Sequence, residues 1–194
     1  MIRQGAPDPA RSMRADAQQN HRRILEAADQ VFQREGFDAP LDLIVAAAGV
    51  GRTTFFRHFP DRQALLVQLL ERSVDEVHEQ AELNRDRDDG LLQILAFMAD
   101  RIGMRAALVE YWNAADPSHP AVQAAFARTG MIFADVIARA TGAGLCRPDL
   151  TATDIAMMAR MIAAAVHGAP ADDKASAARR AATLLLEGYA GTPG

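Results

Sequence analysis

A group of hydrogen-bond donors begins a predicted helix toward the end of the N-terminal third: Arg52, Thr53 and Thr54. Just before them, Gly49 can adopt the left-handed conformation that ends one helix, and Gly51 is a tolerable N-cap for the next. Donors at the start of a helix suit insertion into a DNA major groove. Because any short helical hairpin can contain a glycine turn, this segment alone leaves a purely structural hairpin open.

The elements that position these donors are helices. Apolar residues recur at helical spacing and are broken by Gly, Pro or charged runs. No long period-two alternation of β-branched residues occurs, which favours an all-α fold with about nine helices. The predicted helices span 19–35, 41–47, 51–57, 62–84, 91–107, 108–114, 119–141, 152–167 and 171–190.

The segment 20–70 resembles the tetracycline-repressor-like (TetR) family of transcriptional regulators. The residues that carry the resemblance include Ile24, Ala27, Ala28, Val31, Phe32, Gly36, Ile44, Ala48, Gly49, Val50, Gly51, Arg52, Thr54, His58, Phe59, Asp61, Leu65 and Leu66. The resemblance implies a three-helix DNA-binding domain with a helix-turn-helix at 18–60 and a helical ligand-binding and dimerisation domain at 61–194. The Pro-containing segment 1–17 is expected to be a flexible arm.

The resemblance assigns DNA contacts to nine positions: Arg22, Gly51, Arg52, Thr53, Thr54, Phe56, Arg57, His58 and Arg62. Arg52 can bind guanine O6 and N7 through two hydrogen bonds, or it can contact phosphate only. Thr54 can instead bond its own helix, and His58 can be a packed ring. The family usually has a tyrosine at Phe56, so the phosphate contact of that hydroxyl is lost here. The family often has a lysine at the position of Arg62.

The same resemblance assigns dimerisation to the last two helices, where apolar stripes are expected to form an interface: Ile155, Met158, Ile162, Val166, Ala178, Ala181, Leu185 and Tyr189. Packing of these stripes within one subunit is the alternative. Ligand-binding candidates are aromatic residues, methionines and polar anchors: Phe97, Met98, Arg101, Ile102, Tyr111, Trp112, Phe126, Phe133, Met157, Arg160 and Met161. Each of them taken singly can also be a core residue.

Charge is distributed unevenly along the chain. Residues 1–60 contain 8 arginines and 7 acidic residues, whereas residues 61–194 contain 13 basic and 18 acidic residues, for a total of −4. A single weakly charged module binds DNA weakly, so the function requires two modules in a homodimer. Cys146 is the sole cysteine, and no run of about eighteen apolar residues occurs. We therefore expect a cytoplasmic protein without a membrane partner.

The expected function is a ligand-responsive homodimeric repressor, which a small, mainly apolar effector releases from a double-stranded DNA operator. We expect no enzymatic activity, no cofactor and no metal. His78 and Glu82 are spaced i,i+4, but a solvated helix face explains them better than a metal site. The alternative function is a helical scaffold or a non-metal enzyme without a DNA role.

Overall fold

The computed structural model describes residues 9–106, 108–109, 118–167 and 169–189, without the side chains of 9–12, 171 and 187–189. These residues contain eight α-helices, one short 3-10 helix and no strand, which confirms the all-α prediction. They fall into two compact units, Met1–Gln68 and Leu69–Gly194. Most of the expected short helix at 108–114 lies outside the described residues.

The N-terminal unit contains α1 (Pro9–Glu35), α2 (Leu41–Ala48), α3 (Arg52–His58) and the first turns of α4 (Arg62–Leu83). Its core consists of fully buried side chains: Ile24, Phe32, Ile44, Phe55, Phe59, Leu65 and Leu66. Since Leu65 and Leu66 are completely covered, the unit boundary falls inside α4 rather than at residue 60 as expected.

Helix α1 begins ten residues earlier than predicted, so the expected arm is wrong for residues 9–17. Pro9 stands at the first helical position, where its missing N–H costs nothing and its fixed φ suits the helix. Alanine, arginine and glutamine follow, and all three have high helix propensity. The helix ends before Gly36, which has a φ of 84°.

The C-terminal unit is built around α5 (Gly90–Met104), which contacts α6 (Pro120–Gly142), α7 (Ala152–His167) and α8 (Lys174–Tyr189). The 3-10 helix Ala171–Asp173 precedes α8. One apolar cluster, which we call the Phe133 cluster, includes Leu91, Ile94, Phe133, Ile155 and Met158. The second, the Ile162 cluster, includes Ala99, Ile102, Ile162, Val166 and Ala178.

Helix α6 is long and apolar enough to cross a membrane, and it is the sole such helix in the described part of the chain. Length and composition alone are weak evidence, since a core helix also meets both conditions. Six α6 residues are buried among the helices of the C-terminal unit: Val122, Ala125, Phe133, Val136, Ile137 and Ala140. The burial of these residues accounts for part of the mean hydropathy of this helix, since 28% of its most apolar window is buried.

Candidate nucleic-acid interface

The turn between α2 and α3 is held by a glycine and by an arginine from α1. Gly49 has φ 60° and ψ 37°, the left-handed conformation predicted for it. The Arg23 guanidinium donates to the carbonyl oxygens of Ala48 and Gly49 at 2.7 and 3.3 Å. A Cβ atom on Gly49 would lie 2.9 Å from Arg23 Nη2. The backbone angle therefore requires glycine, whereas the close contact would be relieved by a shift of the flexible Arg23 side chain.

Sequence reasoning missed the role of Arg23. The last carbonyls of a helix have no partner within that helix, and Arg23 satisfies them from another element. The available signal was the position of Arg23 directly before Ile24, which places its stem beside the buried face of α1. The side chain thus fixes the direction in which α3 leaves the turn.

Helix α3 presents a polar face and buries an aromatic one. Its exposed residues are Arg52, Thr53, Phe56 and Arg57, while Thr54 is half-buried. Phe55 is fully buried. The expected N-cap is confirmed at Gly51, whose extended backbone begins the helix without a side-chain hydrogen bond. A seven-residue helix cannot be stable alone, so burial of Phe55 holds this exposed face in place.

Arg52 lies between an acidic side chain and an aromatic ring. Its Nη1 is 3.2 Å from an Asp42 carboxylate oxygen, and both side chains are more than 60% exposed. Its guanidinium carbon lies 5.7 Å from the centre of the Phe56 ring. Exposed ion pairs contribute little free energy, so Arg52 can exchange Asp42 for a base edge at low cost.

Arg62 does not face solvent as a phosphate contact would, and we correct that assignment. Its guanidinium donates to the carbonyl oxygens of Phe37, Asp38 and Ala39 in the loop between α1 and α2. It also lies 5.8 Å from the centre of the Phe32 ring. These carbonyls precede α2 and have no helical partners, so Arg62 fixes the loop against α4.

His58 is a packed ring rather than an exposed phosphate contact, which is the alternative that the sequence left open. Its Nε2 is buried and has no hydrogen-bond partner among the described residues. The His21 ring lies 5.9 Å from the His58 ring and stacks on Phe59 at 5.0 Å. Partial burial lowers the pKa of His21, and His58 lowers it further, while a hydrogen bond with Gln68 opposes the shift. Arg22, by contrast, is exposed on α1.

The described ligand-binding candidates differ in burial. Phe133 and Ile102 belong to the two apolar clusters, and Met98 packs partly buried against the Phe133 cluster. Four candidates are exposed: Phe126, Met157, Arg160 and Met161. Tyr111 and Trp112 lie outside the described residues. A pocket formed by these residues stays a prediction, because apolar type alone does not distinguish core, surface and cavity.

Arg101 and Phe97 form a separate polar cluster on α5. The Arg101 guanidinium lies 5.1 Å from the centre of the Phe97 ring, and its Nε is 3.3 Å from Glu76. Glu76 accepts two hydrogen bonds from the buried Arg105, at 2.9 and 3.0 Å. Glu76 thus ties α4 to α5. No sequence motif identified Arg105 as buried.

A groove of about 820 Å³ lies in the C-terminal unit instead, between the end of α4 and α6. Its apolar floor consists of Ala81, Met131, Ile132 and Val136. Its polar walls consist of His78, Glu82, Arg85, Asp86, Arg128, Asp135 and Arg139. The volume is within the usual range for small-molecule sites, although this groove is open to solvent. No predicted ligand residue lines it.

The stripes assigned to a dimer interface are already covered within one subunit. Ile155, Met158, Ile162, Val166 and Ala178 are at most 3% exposed, and Ala181 and Leu185 pack partly buried against the same clusters. The side chain of Tyr189 lies outside the described part. The assignment is therefore corrected to the intrasubunit alternative. Apolar residues lie on more than one face of α7. Helix α5 contacts α7 on the face that the sequence analysis assigned to the dimer interface.

The described side chains provide no group of three or more His, Cys, Asp and Glu residues that could hold a metal ion. His78 and Glu82 lie on the groove wall with arginines around them. The described side chains at these positions offer hydrogen-bond donors and charged groups.

Comparisons with known proteins agree with this geometry. Residues 24–69 match the family profile described as bacterial regulatory proteins, tetR family. An HTH-type transcriptional regulator of Staphylococcus aureus is 36% identical over 64 residues, which cover 32% of this chain and 35% of that regulator. The match thus spans about a third of the length of this curated relative.

Solved structures extend the similarity beyond the N-terminal unit. A TetR transcription regulatory protein from Mycobacterium vanbaalenii has a TM-score of 0.64 and 27% identity, covering 92% of this chain and 99% of that one. The complex of SmeT, a Stenotrophomonas maltophilia repressor, with triclosan has a TM-score of 0.55 and 22% identity, covering 90% and 93%. The SmeT complex supports the fold alone. The family profile shows that residues 24–69 are similar to the N-terminal domain of the tetR family, and the nearly full-length match shows that the described chain has the fold of a TetR regulator.

Proposed function

We propose that this protein is a homodimeric, ligand-responsive repressor that binds an operator in the cytoplasm. The observation that carries the proposal is the exposed polar face of α3, held by the left-handed Gly49 turn and the Arg23 clamp. A glycine turn by itself occurs in many helical hairpins, whereas here it is combined with the Arg23 clamp and with exposed donors on α3. A helix that must meet a DNA groove at a fixed angle benefits from both.

In the proposed complex, the N-terminal end of α3 enters the major groove. Arg52 and Thr53 meet base edges there, and Gly51 lets the backbone approach a phosphate closely. Arg57 and Arg22 contact phosphates, which adds affinity without sequence preference. Phe56 is 36% exposed and offers an apolar surface to a thymine methyl group or a sugar. Thr54, half-buried, supports the helix start.

Dimerisation is proposed through the outward faces of α7 and α8. Met157 and Met161 are 41% and 49% exposed on α7, and Leu184 is 52% exposed on α8. The two methionines are four residues apart and therefore lie on one face of α7. Exposed apolar residues on adjacent helices favour burial against a second copy. Family resemblance supports the same pair of helices.

An effector is proposed because SmeT, a protein with this fold, forms a complex with triclosan. The SmeT structure holds triclosan, and the groove between α4 and α6 is an opening of small-molecule size in the described part of this chain's C-terminal unit. Effector binding must favour one of two conformations to change DNA affinity. If the effector favours the conformation with the lower affinity for DNA, effector binding releases the repressor from its operator.

The test begins with selection of genomic fragments on the purified protein, followed by binding titrations at several salt concentrations. We expect a dimer by light scattering and an affinity for a selected site at least a thousandfold above that for random DNA. A steep loss of affinity with salt is expected, because phosphate contacts release counterions. A monomer without sequence preference would contradict the proposal.

A further inference from the structure

The groove between α4 and α6 combines an apolar floor with charged walls of balanced sign. Arg85, Arg128 and Arg139 face three acidic residues, Glu82, Asp86 and Asp135. The formal charges of these walls sum to zero when His78 is neutral. Such a groove offers no net attraction to a polyanion or a polycation, which leaves neutral and zwitterionic molecules as its natural ligands.

Most of these charges already have protein partners. Arg128 is paired with Asp75 at 2.7 Å, and Arg85 lies 3.6 Å from both Glu82 and Asp86. Asp135 and Arg139 differ, since neither has an ion pair or a hydrogen bond to another side chain within the described residues. They are also not paired with each other, although their spacing on α6 would permit it.

The two unpaired groups lie on one face of α6, with Cβ atoms roughly 5–6 Å apart as i,i+4 neighbours. Met131 and Ile132 lie one turn before Asp135 on the same side and line the groove floor. A carboxylate and a guanidinium on neighbouring turns of one helix face are complementary in charge to the ammonium and carboxylate groups of an α-amino acid, which are joined through one carbon. The apolar floor then meets the side chain of that molecule.

We propose that this groove binds an amino-acid-like zwitterion with a bulky apolar side chain. Arg139 binds its carboxylate, Asp135 binds its ammonium group, and Met131, Ile132 and Val136 contact its apolar part. The role of this groove as the effector site rests on the proposed function. Its role as a binding site rests on the groove alone.

Calorimetry with L-phenylalanine tests the site without DNA. L-phenylalaninamide lacks the carboxylate, and N-acetyl-L-phenylalanine lacks the ammonium group. We expect the full chain to bind L-phenylalanine at least tenfold more tightly than either analogue, and more tightly than L-alanine, which lacks the apolar part. Equal binding of all four compounds, or no heat of binding at millimolar concentrations, would overturn the proposal.

Two variants assign the groups. Arg139→Gln should abolish the preference for L-phenylalanine over its amide and leave the preference over the N-acetyl compound. Asp135→Asn should do the reverse. Arg34→Gln, which changes an exposed arginine of α1, is the matched control and should keep both preferences. Both groove residues are exposed, so circular dichroism should show unchanged folding. A uniform loss for all compounds in both variants would contradict the assigned pairing.

The regulatory part has a separate readout. We expect saturating L-phenylalanine to lower the affinity of the wild-type chain for a selected DNA fragment, and to have no effect on Arg139→Gln. Binding without this change would support the site and overturn its regulatory role. Absence of sequence-specific DNA binding in the wild type would contradict the proposed function, while the calorimetric result would still decide the binding site.

Discussion

The two units expose different chemistry. In the N-terminal unit, the exposed face of α3 carries arginine and threonine, and the aromatic Phe55 and Phe59 beneath it are completely buried. In the C-terminal unit, the exposed faces of long helices carry Met157, Met161 and Leu184. A polar face supported by a rigid core suits a charged, patterned surface such as DNA. An apolar face suits a second copy of the chain.

The largest effect is expected from two neighbouring residues on α7. Ile162 is 3% exposed and Met161 is 49% exposed. Ile162→Asp places an unpaired carboxylate in the Ile162 cluster and should lower the free energy of unfolding by more than about 3 kcal/mol. Met161→Asp should leave unfolding within about 0.5 kcal/mol in the separated subunit, while it shifts the dimer toward monomer.

Chemical denaturation and sedimentation velocity measure these two effects. If Ile162→Asp remains as stable as the wild type and instead dissociates, the stripe originally assigned to the interface is the correct one. If Met161→Asp remains dimeric, the outward face of α7 does not form the dimer. Because Met161 and Ile162 are neighbours in one turn, the two variants together test which face of α7 points outward.

A smaller effect is expected at the turn before α3. Gly49→Ala forces a Cβ into the left-handed conformation, which costs about 1–2 kcal/mol. It also meets Arg23, whose Nη2 would lie 2.9 Å from the new atom. We expect lower stability and weaker DNA binding together. Gly51→Ala is the control for stability alone, since no atom lies within 4 Å of its added Cβ and its φ is −71°. Equal losses of stability in both variants would exclude the proposed role of the left-handed turn.

The same contrast between the units explains what the sequence could predict. The turn at Gly49 was predictable because a local backbone requirement admits few residue types. The burial of Phe32, Phe55 and Phe59 is the usual outcome for large apolar side chains at helical spacing. The contacts of Arg62 and His58 were harder to predict. An arginine near the interface can bind loop carbonyls, and a histidine can pack as a ring. Distant partners, rather than neighbours in sequence, decide between those outcomes.

In the C-terminal unit, type and spacing were less informative. Helix α7 has apolar residues on more than one face, and periodicity does not determine which face the rest of the chain covers. Met157 and Met158 show this directly, since the first is 41% exposed and the second 3%. The groove was missed for a related reason. It is built from charged residues of α4 and α6, which resemble an ordinary solvated surface in sequence.

A moderate effect is expected from two arginines of α3. Arg52→Ala should cost roughly 1–3 kcal/mol at the selected site and relax the base preference at one position in each half-site. Arg57→Ala should weaken binding to all sequences and reduce the salt dependence. Fluorescence anisotropy with single-base variants of the site separates the two. A uniform loss for Arg52→Ala would place that side chain on phosphates.

The smallest effect is a pH dependence in the N-terminal unit. Burial, and secondarily His58, hold the pKa of His21 below its ordinary value, so the unfolded chain takes up this proton more readily than the folded one. The neutral ring therefore contributes stability above the ordinary pKa of about 6.5. That contribution is lost as pH falls through the ordinary value toward the lower folded one. Thermal unfolding of wild type and His21→Gln at matched salt, from neutral to mildly acidic pH, measures it. We expect the wild type to lose more stability on acidification than the variant, and parallel curves would exclude His21 as the source.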